Sequence, residues 1–455
     1  MSSAVDPSSV TGQATGVPPI GVRPPRSLSL PPAWPLIALL LFYPVWWLLG
    51  LGILIYPLLA IPMVFALVRR RQIHVPPGFL LWLLFLLVVV VSMLNLGYDP
   101  AGTVPGSAID RLPGALLRLV EYASLTVLLL YAGNLTEAEL PRRRLIGLLA
   151  WSFLITVAGG LLGVLWPTFE ITAPIEHLLP TQLADNAFVR SLVHPAAAQI
   201  HQVLGYPTPR PAAPWGYTNI WGNNLLLLIG WFVLAGWSGS GWRRLGTVLV
   251  LGIAIVPIVL SLNRGLWLGL ALAAVYVAVR LVPSGQLWPI AGLGVATAIL
   301  AALLVATPLG SMVASRLEHG HSNNIRIYTI QRALEGVAES PVIGFGSTRN
   351  TLGSGTSIAV GASAACRNCG NHTIGSNGQF WLELYAHGWL GLGLFTAFFL
   401  VGIWRFRRDT SPEGLVGELV LLLNLLASFY YNTLITPLAF TFLSYAVLWR
   451  REAQA

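Results

Sequence analysis

Apolar runs of about 16 to 25 residues, separated by polar stretches, recur about twelve times along this chain. Each run is long enough to cross a hydrocarbon layer about 30 Å thick, directly or with help from flanking residues. They lie near 33–49, 52–68, 78–96, 112–133, 145–165, 219–237, 245–262, 265–280, 287–307, 379–404, 415–431 and 434–449. The pattern predicts about twelve membrane-spanning helices, of which the first two form a hairpin that we expect to be tilted or partly re-entrant.

Positive charge is concentrated in short clusters after every second run. The chain has 26 Lys+Arg residues, and all of them are arginines. Arginines follow every even-numbered run, at 69–71, 142–144, 243–244, 280, 405–408 and 450–451. Because positive loop residues are retained in the cytoplasm, this pattern predicts that both termini are cytoplasmic. It also places the two long polar stretches, 166–218 and 308–378, together outside.

The composition excludes an ordinary soluble domain. Of 455 residues, 55% are hydrophobic and 9% are charged, whereas soluble domains have about a quarter charged. We therefore predict a single transmembrane domain over 31–455, preceded by a disordered cytoplasmic tail, 1–30, without a cleavable signal peptide. The net charge of +9 lies largely in the flanking clusters, so it does not predict binding to nucleic acid.

The two cysteines, Cys366 and Cys369, form one C-x-x-C on the predicted outer side, where oxidation is permitted. This position favours a disulfide. A zinc site is the alternative, but it needs two further ligands, and only His372 is close in sequence.

A second set of arginines lies on the outer side, where orientation does not require positive charge. Arg210 stands between two prolines, Arg264 follows a tight turn between two runs, and Arg326 begins an amphipathic interfacial helix predicted near 322–338. A guanidinium binds two phosphate oxygens at once and stays charged, so several of them near one membrane face predict a diphosphate site. For each arginine taken alone, contact with lipid headgroups is the alternative.

Three stretches carry a family resemblance. They read Arg-Pro-Ala-Ala-Pro-Trp-Gly-Tyr-Thr-Asn at 210–219, Ser-Leu-Asn-Arg-Gly at 261–265, and an arginine-led helix that ends in Pro-Val-Ile-Gly-Phe-Gly at 326–346. Together, in this order and on this side, they resemble the O-antigen ligase and O-antigen polymerase family.

A fourth stretch departs from that pattern. Where the family usually carries a histidine before an aromatic-rich span, this chain has Asn377. An amide is no practical base, so His372 is the nearest substitute. Glu383 and His387, one helical turn apart, form a second candidate pair; a buried polar contact between helices is the alternative for them.

The resemblance implies an all-α, GT-C-like helix bundle in the plasma membrane of a bacterium. It implies transfer of a saccharide from a polyprenyl-diphosphate-linked donor to a hydroxyl of a glycan or glycolipid acceptor outside the membrane, with no metal or other cofactor and with inversion. The candidate catalytic residues are His372, Asn377, Glu383 and His387. The candidate donor-binding residues are Arg190, Arg210, Tyr217, Asn219, Arg264 and Arg326, and Trp215, Phe380 and Trp381 are candidates for stacking on sugars.

Three alternatives remain open. A transporter or flippase also suits about twelve helices. Such proteins tend to have internal repeats, broken paired helices and charges deep in the spans, whereas the main buried charges here, Arg118 and Glu121 in the fourth run, lie three residues apart on one helix face and can pair with each other. A lipid-linked peptidoglycan polymerase is a closer alternative with similar chemistry. A structural membrane partner would leave the outer arginines unexplained.

Overall fold

The computed structural model describes residues 31–179, 193–201, 207–281, 321–352 and 372–453, with a few isolated positions between them. The helices in chain order are α1 (Trp34–Leu41), α2 (Tyr43–Leu48), α3 (Ile55–Val68), α4 (Phe79–Ser92), α5 (Ala108–Asn134), α6 (Arg142–Leu165), α7 (Thr218–Trp237), α8 (Gly241–Leu260), α9 (Arg264–Leu281), α10 (His321–Glu339), α11 (Gln379–Phe406), α12 (Pro412–Ala427) and α13 (Thr436–Glu452). Strands β1 (Ala198–His201) and β2 (Thr208–Pro211) precede α7.

Six helices of the described part are long and apolar enough to cross a membrane, namely α5, α6, α7, α8, α9 and α11. Two shorter apolar helices, α3 and α4, accompany them. This confirms a mostly helical membrane protein with several spans, whereas the count of twelve stays a prediction. The predicted run 287–307 lies outside the described residues. The first predicted run is broken at Phe42 into α1 and α2.

The core of the bundle surrounds α13. Every residue of this helix from Thr436 to Arg450 is buried, and the helix packs against α5, α7 and α12. Trp82 of α4 is fully buried among aromatic rings and donates from Nε1 to Thr126 Oγ1 over 2.8 Å. By contrast, few residues of α8 and α9 are buried in the bundle, as expected for helices that face lipid.

The clustered arginines meet acidic residues at one end of the bundle. The ion pairs are Arg70–Glu139, Arg142–Glu137, Arg280–Glu418, Arg450–Glu137, Arg451–Asp409 and Arg451–Glu413. Arg280 stands at this end of α9. Arg264 begins the same helix 16 residues earlier, about 24 Å away at 1.5 Å per residue. The two sets of arginines therefore occupy opposite ends of the bundle, and the assignment of either end to the cytoplasm stays a prediction.

A short antiparallel sheet adds to the predicted all-α architecture. β1 pairs with β2 so that Gln199 lies opposite Arg210. Prolines on both sides of Arg210 keep the backbone extended, and proline is tolerated in an edge strand of this kind. The predicted stiff stretch is thus a strand with a partner, which fixes the position of Arg210.

The helix predicted near 322–338 is present as α10, whereas its position at the membrane interface stays a prediction. The apolar positions of the predicted helix form a stripe of Ile325, Tyr328, Ile330, Leu334 and Val337, but Leu334 is 43% exposed. The buried face instead carries Thr329, Ala333 and Val337, three positions at four-residue spacing. Val337 is buried as the stripe predicts and Leu334 is not, because the small side chain of Ala333 packs against Tyr385 of α11.

A break in α11 holds the end of α10. Gly388 has a φ of 66°, so the helical hydrogen bonds are interrupted there. The main-chain oxygens of Tyr385 and Ala386 accept instead from the amides of Phe345 and Gly346, over 3.3 and 2.7 Å. The predicted turn after α10 is therefore seated in the middle of α11.

Arg349 follows this turn and links it by hydrogen bonds to the residues that follow α4. It is 3% exposed, and its guanidinium donates to the main-chain oxygens of Asn95, Leu96 and Tyr98. Burial lowers the pKa of Arg349 to about 10, and the like charge of Arg111 acts in the same direction. Because its hydrogen bonds go to the backbone, Arg349 has a structural role.

Candidate functional site

Arg210 is held by two elements. It lies on β2 and is 8% exposed, and its Nε donates to the main-chain oxygen of Ser261 over 2.6 Å. Its own main-chain oxygen accepts from Thr218 Oγ1 over 3.3 Å. The strand, the start of α7 and the turn after α8 are therefore joined at this arginine.

The turn that presents Arg264 has the predicted position between two spans. α8 ends at Leu260 and α9 begins at Arg264, and Leu262 between them has a φ of 50°. Asn263 stabilises the turn because its Oδ1 accepts from the amide of Leu266, while its Nδ2 donates to the main-chain oxygen of Thr218. Arg264 itself is half-buried at the first position of α9.

Tyr431 lies near two of the predicted arginines. It interacts electrostatically with Arg326 and Arg210, and Arg326 interacts with Arg264 in turn. Burial lowers the pKa of Arg326 from its ordinary value, the neighbouring Tyr431 acts against this, and the like charge of Arg264 lowers the pKa further. Arg326 and Arg210, from separate parts of the chain, therefore lie near one buried tyrosine, and Arg264 lies near Arg326.

The segment that contains Tyr431 has polar atoms without hydrogen-bond partners. Tyr430 OH, Asn432 Oδ1 and Thr433 Oγ1 are buried, and none of them has a partner within the described ranges. Buried polar atoms are normally hydrogen-bonded, so such a group beside several arginines is typical of a site for a polar ligand.

His372 and Asn377 both contact α10 close to Arg326. The rings of His372 and Tyr328 meet edge to face, with centroids 6.3 Å apart. Asn377 Nδ2 donates to Thr329 Oγ1 over 2.8 Å. The structure therefore brings both candidates to the helix that carries Arg326, and it leaves His372 as the one with an ionisable ring.

Glu383 and His387 lie apart from these contacts, inside the bundle. Both are 0% exposed, and Glu383 Oε2 is 3.6 Å from His387 Nε2. His387 Nδ1 is 2.8 Å from Ser92 Oγ on α4, and Glu383 accepts from Tyr122 on α5. These contacts join three helices, as expected if the pair is a buried polar contact between helices. Arg118 interacts electrostatically with both members.

The remaining predicted residues differ in accessibility. Arg190 lies outside the described residues, as do the two cysteines. Tyr217 is 39% exposed, and Asn219 is half-buried in the first turn of α7.

The aromatic candidates for stacking on sugars make contacts within the protein. Trp215 is 5% exposed and donates to Thr156 Oγ1. Phe380 stacks on Phe429 at 4.5 Å, and Trp381 Nε1 donates to the main-chain oxygen of Phe429 over 2.9 Å.

A second polar cluster lies beside the exposed Tyr217. His194 Nδ1 is 3.1 Å from both carboxylate oxygens of Glu176, and His194 Nε2 is 3.5 Å from Glu170. His194 lines a cavity together with Tyr43, Trp47, Trp215 and Tyr217. Hydrogen-bonding groups and aromatic rings thus share one cavity.

In the described part of the chain, no group of three or more His, Cys, Asp and Glu side chains is arranged to hold a metal ion.

No known family model matches this sequence, and no characterised protein is significantly similar to it. The resemblance to the O-antigen ligase and polymerase family therefore rests on the sequence motifs. The contacts among the candidate site residues are the other observation that bears on the function of this protein.

Sequence reasoning missed Tyr430, Tyr431 and Gln379. The two tyrosines stand at the end of an apolar run and were counted within the predicted span 415–431. Two features of the sequence could have pointed to them. They lie on the same predicted side of the membrane as Arg264, and the Tyr-Tyr-Asn sequence at the end of the span is more polar than its apolar surroundings.

Proposed function

We propose that this protein is a membrane glycosyltransferase that moves a saccharide from a polyprenyl-diphosphate-linked donor to a hydroxyl of a glycan or glycolipid acceptor. The observation that carries the proposal is the grouping of Arg210 and Arg326 near Tyr431, with Arg264 near Arg326, at the end of α9 opposite to Arg280 and the arginine–acid end of the bundle. Three fixed positive charges suit a ligand with several negative oxygens, and a diphosphate linked to a membrane lipid is such a ligand.

The reaction follows from the chemistry of this donor. The bond between the anomeric carbon and the diphosphate oxygen breaks, and both bonding electrons leave with the diphosphate. Arg210, Arg264 and Arg326 stabilise the charge that develops on the leaving group. The acceptor oxygen forms the new bond from the opposite face, so the configuration inverts, and its proton passes to a base. Since the arginines supply the positive charge, we expect transfer without an added metal or cofactor.

His372 is the proposed base. It contacts Tyr328, which lies two residues after Arg326 on α10, and its imidazole can accept a proton. Asn377 serves a different purpose, because its amide donates to Thr329 and so holds α10 in place. Glu383 and His387 are too deeply buried to meet an acceptor from outside.

The proposal includes a position in the membrane. With the arginine–acid end in the cytoplasm, Arg210, Arg264 and Arg326 lie at the outer face of a multi-pass protein of about twelve spans in a bacterial plasma membrane. Tyr217 and the cavity beside His194 lie next to β2 and α7, where an acceptor saccharide can reach aromatic rings.

A flippase for lipid-linked saccharides is the second candidate. It is favoured by the charged and polar side chains inside the bundle, namely Arg118, Glu121, Glu383 and His387, because ionisable residues within spans often line a transport path. Such a protein moves its substrate without changing it.

Reconstituted proteoliposomes distinguish the two candidates. The protein is supplied with a polyprenyl-diphosphate-linked saccharide and a range of glycan and glycolipid acceptors, with a chelator present. We expect a product in which the saccharide is joined to the acceptor, detected by mass spectrometry. Unchanged donor that exchanges between leaflets would support the flippase and contradict the transferase.

A further inference from the structure

The buried polar cluster around Glu383 connects to the arginine site through one glutamine. Glu383 Oε1 accepts hydrogen bonds from Tyr122 OH and from Gln379 Nε2. Gln379 Nε2 also donates to Tyr122 OH over 2.8 Å. All three residues are 0% exposed, so these groups exchange hydrogen bonds with one another rather than with water.

The other side of Gln379 holds the segment after Tyr431. Gln379 Oε1 accepts from the amide of Thr433 over 3.1 Å and from the amide of Leu434 over 3.3 Å. The main-chain amide of Gln379 donates to the main-chain oxygen of Tyr431 over 2.8 Å. One residue therefore fixes the backbone on both sides of Asn432.

Glu383 on one side and the amides of Thr433 and Leu434 on the other set the direction of the Gln379 amide together. A glutamine side chain has an acceptor oxygen and a donor nitrogen of nearly equal shape, and either can point to a given neighbour. Glu383 Oε1 accepts hydrogen bonds in either protonation state, because the proton of a neutral carboxyl can lie on the other oxygen, so Glu383 favours the nitrogen of Gln379 on its own side. The oxygen of Gln379 must then face the amides of Thr433 and Leu434, which need an acceptor.

We propose that Glu383 is a positioning residue that orients the Gln379 amide and thereby holds the Tyr430–Thr433 segment against Arg210, Arg264 and Arg326. Its effect on turnover rests on the proposed function, whereas its effect on the segment does not. Glu383 itself touches neither donor nor acceptor. A displacement of about 1 Å in a substrate site can cost about 100-fold in rate, so a loosened segment lowers transfer even though all three arginines remain.

Two substitutions test the hydrogen-bond logic. Glu383→Gln introduces an amide whose nitrogen can also face Gln379, which weakens the preference of the Gln379 amide for one direction and leaves the amides of Thr433 and Leu434 as its main constraint. The exchanged pair Gln379→Glu with Glu383→Gln restores it, because a carboxylate at 379 accepts from Thr433 and Leu434 while the amide at 383 donates to that carboxylate and accepts from Tyr122. Ser444→Ala is the matched control, since it removes an equally buried hydrogen bond, from Trp231 Nε1 over 2.9 Å, elsewhere in the core.

Two readouts separate this inference from the proposed function. The first is amide hydrogen exchange of residues 428–436 in the purified full-length protein, which needs no activity. We expect exchange at 433 and 434 to accelerate by about tenfold or more in Glu383→Gln, to return close to the wild-type rate in the exchanged pair, and to be unchanged in Ser444→Ala. The second is kcat for saccharide transfer, which we expect to fall by about 10- to 100-fold in Glu383→Gln, with partial recovery in the exchanged pair.

Each other outcome overturns a specific claim. Unchanged exchange at 433 and 434 in Glu383→Gln, or no recovery in the exchanged pair, contradicts the positioning role. Faster exchange with unaltered kcat contradicts its importance for turnover. A wild-type protein that transfers nothing refutes the proposed function, while the exchange measurement still decides whether Glu383 holds the segment.

Discussion

Gly265 packs directly against Tyr431. A Cβ added to this glycine would overlap the Tyr431 hydroxyl and lie 2.6 Å from the ring of Tyr430. Gly265 immediately follows Arg264, so the close approach sets the distance between this arginine and the tyrosine. The glycine in the predicted Ser-x-x-Arg-Gly turn is therefore explained by packing.

We expect Gly265→Ala to impair transfer while all charges stay in place. The methyl group must displace the 430–431 segment or α9, and overpacking of this kind costs about 1–3 kcal/mol. Thermal unfolding and kcat check this expectation. Gly252→Ala on α8 is the control because nothing lies within 4 Å of its Cβ. Equal behaviour of the two variants would contradict the assigned packing.

The assignment of the base predicts a difference between His372 and Asn377. Loss of a general base lowers kcat by about 100- to 10,000-fold, so we expect His372→Ala to reduce kcat in this range with little change in the KM for the donor. Asn377→Ala removes one neutral hydrogen bond to Thr329, worth about 1 kcal/mol, and its effect on kcat should be much smaller. The reverse order would remove His372 from the mechanism.

The arginine–acid end predicts a dependence of stability on pH. Asp409 joins the end of α11 to α13: it accepts from the Ser411 amide over 3.0 Å and from Arg451 over 2.7 Å. Burial alone would raise the pKa of Asp409, but the hydrogen bonds from Ser411 and Arg451 outweigh it and hold the pKa below its ordinary value. The folded state thus gains stability above the unfolded pKa, about 3.9, and loses it as the pH falls through the lower folded pKa.

Thermal unfolding in detergent between pH 7 and pH 3 measures this effect. We expect the wild-type midpoint to fall at the acid end of the range and the midpoint of Asp409→Asn to fall less over the same interval. Parallel curves for the two proteins would show that Asp409 contributes no such stability.

Local patterns predicted much of the architecture. Runs of apolar residues marked the positions of the helices, and the amphipathic pattern after residue 320 predicted α10 and its terminal turn. The Ser261–Arg264 turn was also predicted because two apolar runs meet there with only a few polar residues between them. These features depend on residues that are close in sequence.

The sequence patterns did not predict the contacts between residues that are far apart in the chain. Arg210 was predicted for its charge, but its bond to Ser261 depends on a strand pairing that no alternation signalled. Tyr431 stands at the end of an apolar run, and its electrostatic interactions with Arg326 and Arg210 arise only when α10, β2 and the 428–435 segment pack together. Glu383 could be singled out as a buried acid on α11, yet its partner Tyr122 is 261 residues away.

Arg264 gives the most direct test of the proposed transferase. The rate of saccharide transfer from a polyprenyl-diphosphate-linked donor is measured for the purified wild-type protein, Arg264→Ala and Arg264→Lys, with Arg244→Ala, an exposed arginine at the start of α8 and far from the site, as the control. We predict transfer by the wild type and by Arg244→Ala, a loss of at least about 100-fold in Arg264→Ala, and partial activity in Arg264→Lys, which keeps the charge but not the bidentate geometry. Full activity of Arg264→Ala, or no transfer by the wild-type protein, would contradict the proposed site and function.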